Sequence, residues 1–212
     1  MIYNEDCLDT LNRNLEYDYI ITSPPDFDEI GADTKNIQPY IDFLKERFSL
    51  FNPKNDVVTI FVSDRKTDGT IIPKHTIMCN LMNELGWRLI SQKIWVKTYK
   101  IDLYRPGYTF ILTFKKDVSK VVNLPDVWYE EFKPATPEYT YNFSANIVKE
   151  FINGYTKKNE IVFDPFIGSG TTAVVCIENN RKYIGSEIHE VTCRIAENRI
   201  SKINNADKFF KL

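Results

Sequence analysis

The sequence has only two histidines, His75 and His189, in 212 residues. That is too few for a histidine-rich metal site and weighs against most His-based nucleophilic chemistry. Its four cysteines, at positions 7, 79, 176 and 193, form no Cys-x-x-Cys pair and no ligand spacing. Neither a zinc module nor a disulfide framework is written in them, and they read as free thiols in a reducing compartment. No run approaches the roughly 20 apolar residues that cross a bilayer. Met1-Ile2-Tyr3-Asn4-Glu5-Asp6 has neither the basic nor the apolar stretch of a secretory signal. No internal repeat is visible. What is present is ordinary for a globular chain, 43% hydrophobic and 26% charged. The length suffices for one full core without staples, and residues 1–212 are expected to form a single cytoplasmic domain with no membrane and no metal as partner.

The formal net charge of −2 is unusual for a nucleic-acid binder, but its distribution is uneven. Residues 1–64 carry five Lys/Arg against thirteen Asp/Glu, a net of −8, whereas residues 88–120 carry eight against two, a net of +6. A basic block on an acidic body can face a polyanion while the rest is repelled from it. The bland alternative is a solvated ribbon.

Strands and helices alternate along the chain. Asp18–Thr22 reads as a short strand ended by Pro24-Pro25, and Pro39 opens a helix through Ile41, Leu44 and Phe48. Asp56–Ser63 is a continuous apolar run and hence a buried strand. Pro73 opens a further helix that stops near Gly86, and Leu89–Val96 and Tyr108–Phe114 are β-rich. Residues 117–142, with Pro125, Pro134 and Pro137 among aromatics, read as a loop. A helix from Ser144, a strand Glu160–Asp164, a helix from Thr171, a strand Lys182–Glu187 and a last helix complete the series. Such alternation implies an α/β fold, a mostly parallel twisted sheet with helices on both faces.

The strongest local signal is Val162-Phe163-Asp164-Pro165-Phe166-Ile167-Gly168-Ser169-Gly170-Thr171-Thr172. It is a buried strand, an acid at its carboxyl end, a glycine loop and a helix start. Ligands of open α/β sheets sit at the carboxyl ends of strands. Glycines let backbone approach a ligand closely, and Ser or Thr at the loop exit can cap the helix. No Gly-Lys-Ser/Thr follows, so nothing is aimed at a triphosphate. Glu187 ends the next strand, about 20 positions on, where an acid accepts hydrogen bonds from ribose hydroxyls. Adenosine binding is implied, without a phosphate requirement.

These residues resemble the cofactor loop of the S-adenosylmethionine-dependent DNA amino-methyltransferases. The resemblance implies a Rossmann-like methyltransferase fold with S-adenosylmethionine as cofactor. Its ribose would be held by Glu187, beside Ile188, and its methionine end by Asp164, Pro165, Phe166, Gly168, Ser169, Gly170, Thr171 and Thr172. The segment from Glu187 to Arg199 is similar to the family's helix after the ribose acid. Asn4-Glu5-Asp6-Cys7 resembles its N-terminal strand end, with Asp6 against the adenine. Thr22 and Phe143 fall where the family places further cofactor contacts.

Taken alone, Thr22-Ser23-Pro24-Pro25-Asp26-Phe27 after a strand is a turn. Together with the loop it resembles the family's catalytic motif, (Asp/Asn/Ser)-Pro-Pro-aromatic. The chemistry suits the residue types. An exocyclic amine on a base is a poor nucleophile because its lone pair is delocalised into the ring. An acceptor at Ser23 and the carbonyl of Pro24 can hold its two N–H groups out of plane and free that lone pair. Prolines preorganise the acceptors, with neither a covalent intermediate nor a metal. The base must be flipped out of a duplex or already single-stranded. The catalytic segment precedes the cofactor loop by about 140 residues, a circularly permuted order that resembles the β-type group.

The sequence departs from the family at Asp26, where an aromatic is expected to stack on the base. Either Phe27 supplies the ring, or Asp26 accepts from a base N–H, or the chain is an inactive paralogue that binds DNA or cofactor as a regulatory module. The expected Lys-Pro appears only as Lys133-Pro134, far upstream of its usual place. Ser at the motif's first position ranks cytosine N4 first and adenine N6 second. Residues 117–142 stand as a short insertion in place of a target-recognition domain and carry a net of −3. Backbone contact then falls to Lys93, Lys97, Lys100 and Arg105. The resemblance further implies DNA as partner, a place in restriction–modification, a homodimer, and a bacterial cytoplasm or, for a phage-encoded chain, that of its host.

Overall fold

The structure is a computed structural model that describes residues 1–97, 106–117, 122–131 and 144–209. In chain order the elements are β1 (Ile2–Tyr3), α1 (Cys7–Leu11), β2 (Tyr19–Thr22), α2 (Gln38–Phe48), β3 (Val57–Val62), β4 (Arg65–Thr67), β5 (Thr70–Ile72) and α3 (Lys74–Glu84). They continue with β6 (Arg88–Val96), β7 (Tyr108–Lys115), β8 (Val127–Tyr129), α4 (Ala145–Tyr155), β9 (Ile161–Asp164), α5 (Thr171–Glu178), β10 (Lys182–Ser186) and α6 (Glu190–Phe209). Local chemistry sets several of these boundaries. The Asp6 carboxylate caps α1 by accepting the Leu8 N–H at 2.8 Å, and the Ser144 hydroxyl caps α4 by accepting that of Ile147 at 3.2 Å. Pro39 lies in the first turn of α2, where its missing N–H costs nothing.

The chain forms two compact units, residues 1–21 with 133–212, and residues 22–132. In the first, β1 pairs with β10, β10 with β9, and β9 with β2, all parallel. Both β1–α1–β2 and β9–α5–β10 place a helix between strands, as parallel strands require. Ile167, Ala173 and Ile200 form a core cluster against which Ile2, Ile177 and Tyr183 pack. The carboxyl ends of β1, β10 and β9 lie side by side, with Tyr3 opposite Ser186 and Gly185 opposite Asp164.

The second unit departs from the parallel expectation. β7 pairs antiparallel with both β3 and β6. Residues 97–107 join β6 to β7 directly, too short a stretch for the crossover that parallel neighbours need. β3 is buried from end to end, and its Thr59 shares a buried hydroxyl–hydroxyl bond of 3.0 Å with Thr113 of β7. Two features go beyond the sequence reading. Asp68 and Gly69, both at positive φ, turn β4 back onto β5 as a hairpin. Within the segment read as a loop, β8 pairs parallel with β6, Ile94 opposite Val127 and Val96 opposite Tyr129. Among the described residues no helix is long and apolar enough to cross a membrane. Nor, among them, does any group of His, Cys, Asp and Glu gather that could hold a metal ion.

Candidate functional site

The glycine loop leaves β9 at Asp164 and enters α5 at Thr171, in the first unit. Asp164 is buried, and its carboxylate is turned back into its own loop. One oxygen accepts the Thr172 hydroxyl at 2.7 Å, the other the Phe166 N–H at 3.2 Å. The expected cap at the loop exit is therefore absent: the N-cap of α5 is Gly170, without a side-chain bond, because the Thr172 hydroxyl goes to Asp164 instead. Arg199 of α6 clasps the loop from outside. Its guanidinium donates to the Ser169 carbonyl at 2.6 Å, the Ser169 hydroxyl at 3.0 Å and the Thr171 hydroxyl at 3.2 Å. The Ile167 N–H donates to the Ser186 carbonyl at 3.0 Å, which ties the loop to the end of β10. Gly170 lies against α6, where an added Cβ would come within 2.8 Å of the Ala196 Cβ. The sequence shows Arg199 only as part of a helix, and its grip on the loop emerges from the fold.

Glu187 follows β10 directly and is half-buried, with one oxygen accepting the His189 N–H at 2.8 Å. The Asn4 side chain donates to the carbonyls of Glu187 at 2.8 Å and of Ile188 at 3.3 Å, fastening the ends of β1 and β10. Asp6 and Glu187 thus occupy neighbouring strand ends, one strand over from the loop. Cys7 and Pro165 are buried, Phe166 and Gly168 half-buried, and Ile188 exposed. Burial, and then the nearby Asp164, push the Cys176 thiol on α5 far above the ordinary range. Phe143 lies outside the described residues.

In the second unit, β2 delivers a buried Thr22 and then Ser23-Pro24-Pro25. The Ser23 hydroxyl donates to the carbonyl of Phe61 in β3 at 3.2 Å, so its proton is committed and its oxygen presents lone pairs. The Pro25 carbonyl accepts the Tyr40 hydroxyl at 3.1 Å. Burial, reinforced by Asp26 and Glu29, pushes that phenol far above its usual range. Asp26 is only 8% exposed. Its carboxylate faces Lys74 at 3.0 Å and Arg65 at 3.4 Å, and also accepts the Phe27 N–H at 2.9 Å. Phe27 is 1% exposed and stacks on Tyr40, ring centroids 4.2 Å apart. The ring expected to shift outward toward a base is packed inside the unit, because Asp26 is drawn to two cations and the next residue turns inward.

The expected phosphate contacts need correction at Lys93. It is 7% exposed, and its ammonium donates to the Leu124 carbonyl at 2.7 Å and to Asp126 at 2.9 Å, anchoring the approach to β8. Lys97 is half-buried, donates to the Ser63 hydroxyl at 3.0 Å and lies over the Trp95 ring. Lys100 and Arg105 lie outside the described residues.

This architecture has solved counterparts. The PvuII DNA methyltransferase, described as cytosine-N4-specific, superposes with a TM-score of 0.80 at 17% identity, covering 93% of this chain and 85% of that one. A DNA modification methylase of Thermus thermophilus, TTHA0409, solved with S-adenosyl-L-methionine, gives 0.74 at 19% identity over 95% of this chain and 94% of that one. The fold is therefore the Rossmann-like methyltransferase fold. A family model for DNA methylases of the N6/N4 type matches residues 113–198. The type II methyltransferase M.Cfr9I of Citrobacter freundii is 35% identical over 139 residues, 56% of this chain and 46% of that protein. The chain is a relative of the S-adenosylmethionine-dependent DNA amino-methyltransferases, the family its motifs resemble. It spans about half the length of several curated relatives, from 46% to 55% for three of them.

Proposed function

We propose that the chain transfers a methyl group from S-adenosylmethionine to the exocyclic amine of a DNA base, cytosine N4 before adenine N6. The observation that carries the reading is the direction of the Ser23 hydroxyl bond. With its proton on the Phe61 carbonyl, Ser23 acts as an acceptor, the role that an amine N–H demands. The amine's second N–H falls to the carbonyl of Pro24, on a backbone whose φ is fixed by its ring. Between them the two acceptors localise the nitrogen lone pair. They also receive the hydrogens of which one leaves as a proton once the nitrogen–carbon bond has formed.

The donor set of the first unit suits the cofactor. The loop is preformed by Asp164, Thr172 and Arg199. The one guanidinium described against the loop is directed onto loop oxygens, so it offers no cation to a polyphosphate. An added Cβ at Gly168 would meet only the Phe166 carbonyl, at 4.0 Å, which leaves that backbone open to approach. Glu187 would hold the ribose, Asp6 the adenine edge, and the loop the methionine end. When bound, the cofactor supplies an electrophilic methyl on a sulfonium sulfur.

Cytosine N4 is placed first because Ser stands at the motif's first position; the cytosine-N4-specific description of the PvuII enzyme supports that order. A second reading, a DNA- or cofactor-binding module without transfer, is favoured by the inward turn of Asp26 and Phe27. A restriction–modification setting, a homodimer and residues 117–142 in place of a recognition domain remain parts of the proposal. The deciding experiment is transfer from labelled S-adenosylmethionine into unmethylated mixed-sequence DNA, single- and double-stranded, followed by digestion and mass spectrometry of nucleosides. N4-methylcytosine supports the leading reading, and N6-methyladenine reverses the order of bases. No methylated nucleoside, with cofactor binding intact by calorimetry, moves the weight to the binding module.

A further inference from the structure

We propose that Lys74, with Arg65 beside it, is a positioning residue for the Ser23-Pro24-Pro25 acceptors. The proposal rests on the methyl-transfer reading and adds the device that holds the acceptors in place. Where the resembling family carries an exposed ring, this chain carries a buried anion gripped on every side. The Asp26 N–H donates to Glu29 at 2.7 Å, one carboxylate oxygen takes the Lys74 ammonium at 3.0 Å, and the other faces Arg65 at 3.4 Å. Lys74 is itself 4% exposed, and its ammonium lies over the rings of Phe27 at 5.8 Å and Tyr40 at 5.4 Å. Tyr40 in turn holds the Pro25 carbonyl, the peptide immediately before Asp26.

The chain of contacts therefore runs from α3 through Asp26 to two prolines and then to Ser23. Proline rings fix φ at both intermediate positions, so the link is stiff and a displacement at Asp26 is transmitted rather than absorbed. A buried charge pair is tied to its geometry, because moving either partner leaves a charge uncompensated. A misplacement of acceptors by about 1 Å costs on the order of a hundredfold in rate. Charge pairing thus supplies the placement of the acceptors, while the ring at Phe27 is committed to the core.

The test compares the wild-type chain with Lys74→Met and Lys74→Arg. Two readings are taken below the melting temperature of each: kcat and KM for methyl transfer, and hydrogen exchange of peptides spanning residues 22–31. In Lys74→Met, kcat should fall about a hundredfold with KM for DNA and cofactor affinity little changed. Exchange of the 22–31 peptides should rise while those of β3 stay protected, and Lys74→Arg should recover most of both. Unchanged exchange, or raised exchange with unchanged kcat, overturns the proposal. If Lys74→Met does not fold, Asp26→Leu with Lys74→Met, which buries no lone charge, is read in the same two ways. A wild-type chain that methylates no base overturns the functional reading instead, and the exchange comparison still decides whether Lys74 holds the segment.

Discussion

Ser23 and Tyr40 act on the same short segment with opposite hydrogen-bond roles, and substitutions at the two should separate cleanly. Ser23→Ala removes an acceptor from the amine site, yet only one protein hydrogen bond, that to the Phe61 carbonyl, is lost. Turnover should fall a hundredfold or more, about the cost of one preorganised group in a reaction site. Cofactor affinity by calorimetry should be unchanged, since the loop and Glu187 belong to the other unit; a binding module would show no effect worth measuring. Tyr40 carries a pH signature. Its folded pKa is raised above the unfolded value, chiefly by burial and further by Asp26 and Glu29. A group raised in this way contributes stability that is complete below the unfolded pKa. That stability is lost as pH climbs, because the unfolded phenol ionises first. The loss should begin near pH 10, the ordinary tyrosine value. Urea midpoints across that range should fall more steeply for the wild type than for Tyr40→Phe. Equal slopes would remove Tyr40 from the alkaline limb. Of these residues, Ser23 was legible as an acceptor from its motif alone. Lys74 carries a fainter signal: a cation in the first turn of a helix opposes the helix dipole, so it calls for a nearby anion. Sequence spacing does not name Asp26 as that anion, since 48 positions separate the two.

At the scale of elements, the loop between β9 and α5 is held by two different means, and its glycines distinguish them. Gly168 and Gly170 both have positive φ, 52° and 82°. A Cβ at Gly168 meets open space, whereas one at Gly170 meets Ala196 of α6 at 2.8 Å. Gly168→Ala should therefore cost only the left-handed backbone penalty, about 1–2 kcal/mol. Gly170→Ala should add an overpacking cost of about 1–3 kcal/mol as α5 and α6 are pushed apart. Urea denaturation of both variants tests the difference; equal losses would mean that α6 yields without cost. The strand–loop–helix here was legible because its signal is local, a buried run, an acid and glycines in one stretch. The Arg199 clasp was not, because a helix arginine reads as a solvated face until the fold brings it to the loop. The hairpin of β4 and β5 had its Asp-Gly turn in plain view, but its strands have only three residues each and lack a period-two apolar pattern. β8 was hidden for a tertiary reason. It pairs along the edge of β6 and is anchored by Lys93 and by the Trp95 indole, which donates to the Glu130 carbonyl at 2.8 Å. None of those partners is near it in sequence.

For the whole molecule, the division of charge between an acidic N-terminal stretch and a basic block at 88–120 sets how DNA affinity should respond to salt. Charge counted along the sequence overstates the block, because some of its cations are neutralised or enclosed. Lys93 is bonded to Asp126 and a carbonyl, and Lys115 is buried. Lys97 is placed differently: its described polar partner is the neutral Ser63 hydroxyl, so its charge is left unneutralised by that bond. If Lys97 meets a phosphate, Lys97→Ala should weaken DNA binding about equally across sequences. It should also reduce the slope of log affinity against log salt by about 1 unit. Lys93→Met should leave that slope alone and lower stability instead, since it frees the approach to β8 and leaves the Leu124 carbonyl without its ammonium. Filter binding or fluorescence anisotropy at several salt concentrations, beside a urea midpoint for each variant, separates the two effects. A slope lowered by Lys93→Met and not by Lys97→Ala would reverse the assignment and place phosphate contact on the β8 side of β6. A slope unchanged in both would transfer the contact to cations outside the described residues, Lys100 and Arg105 first.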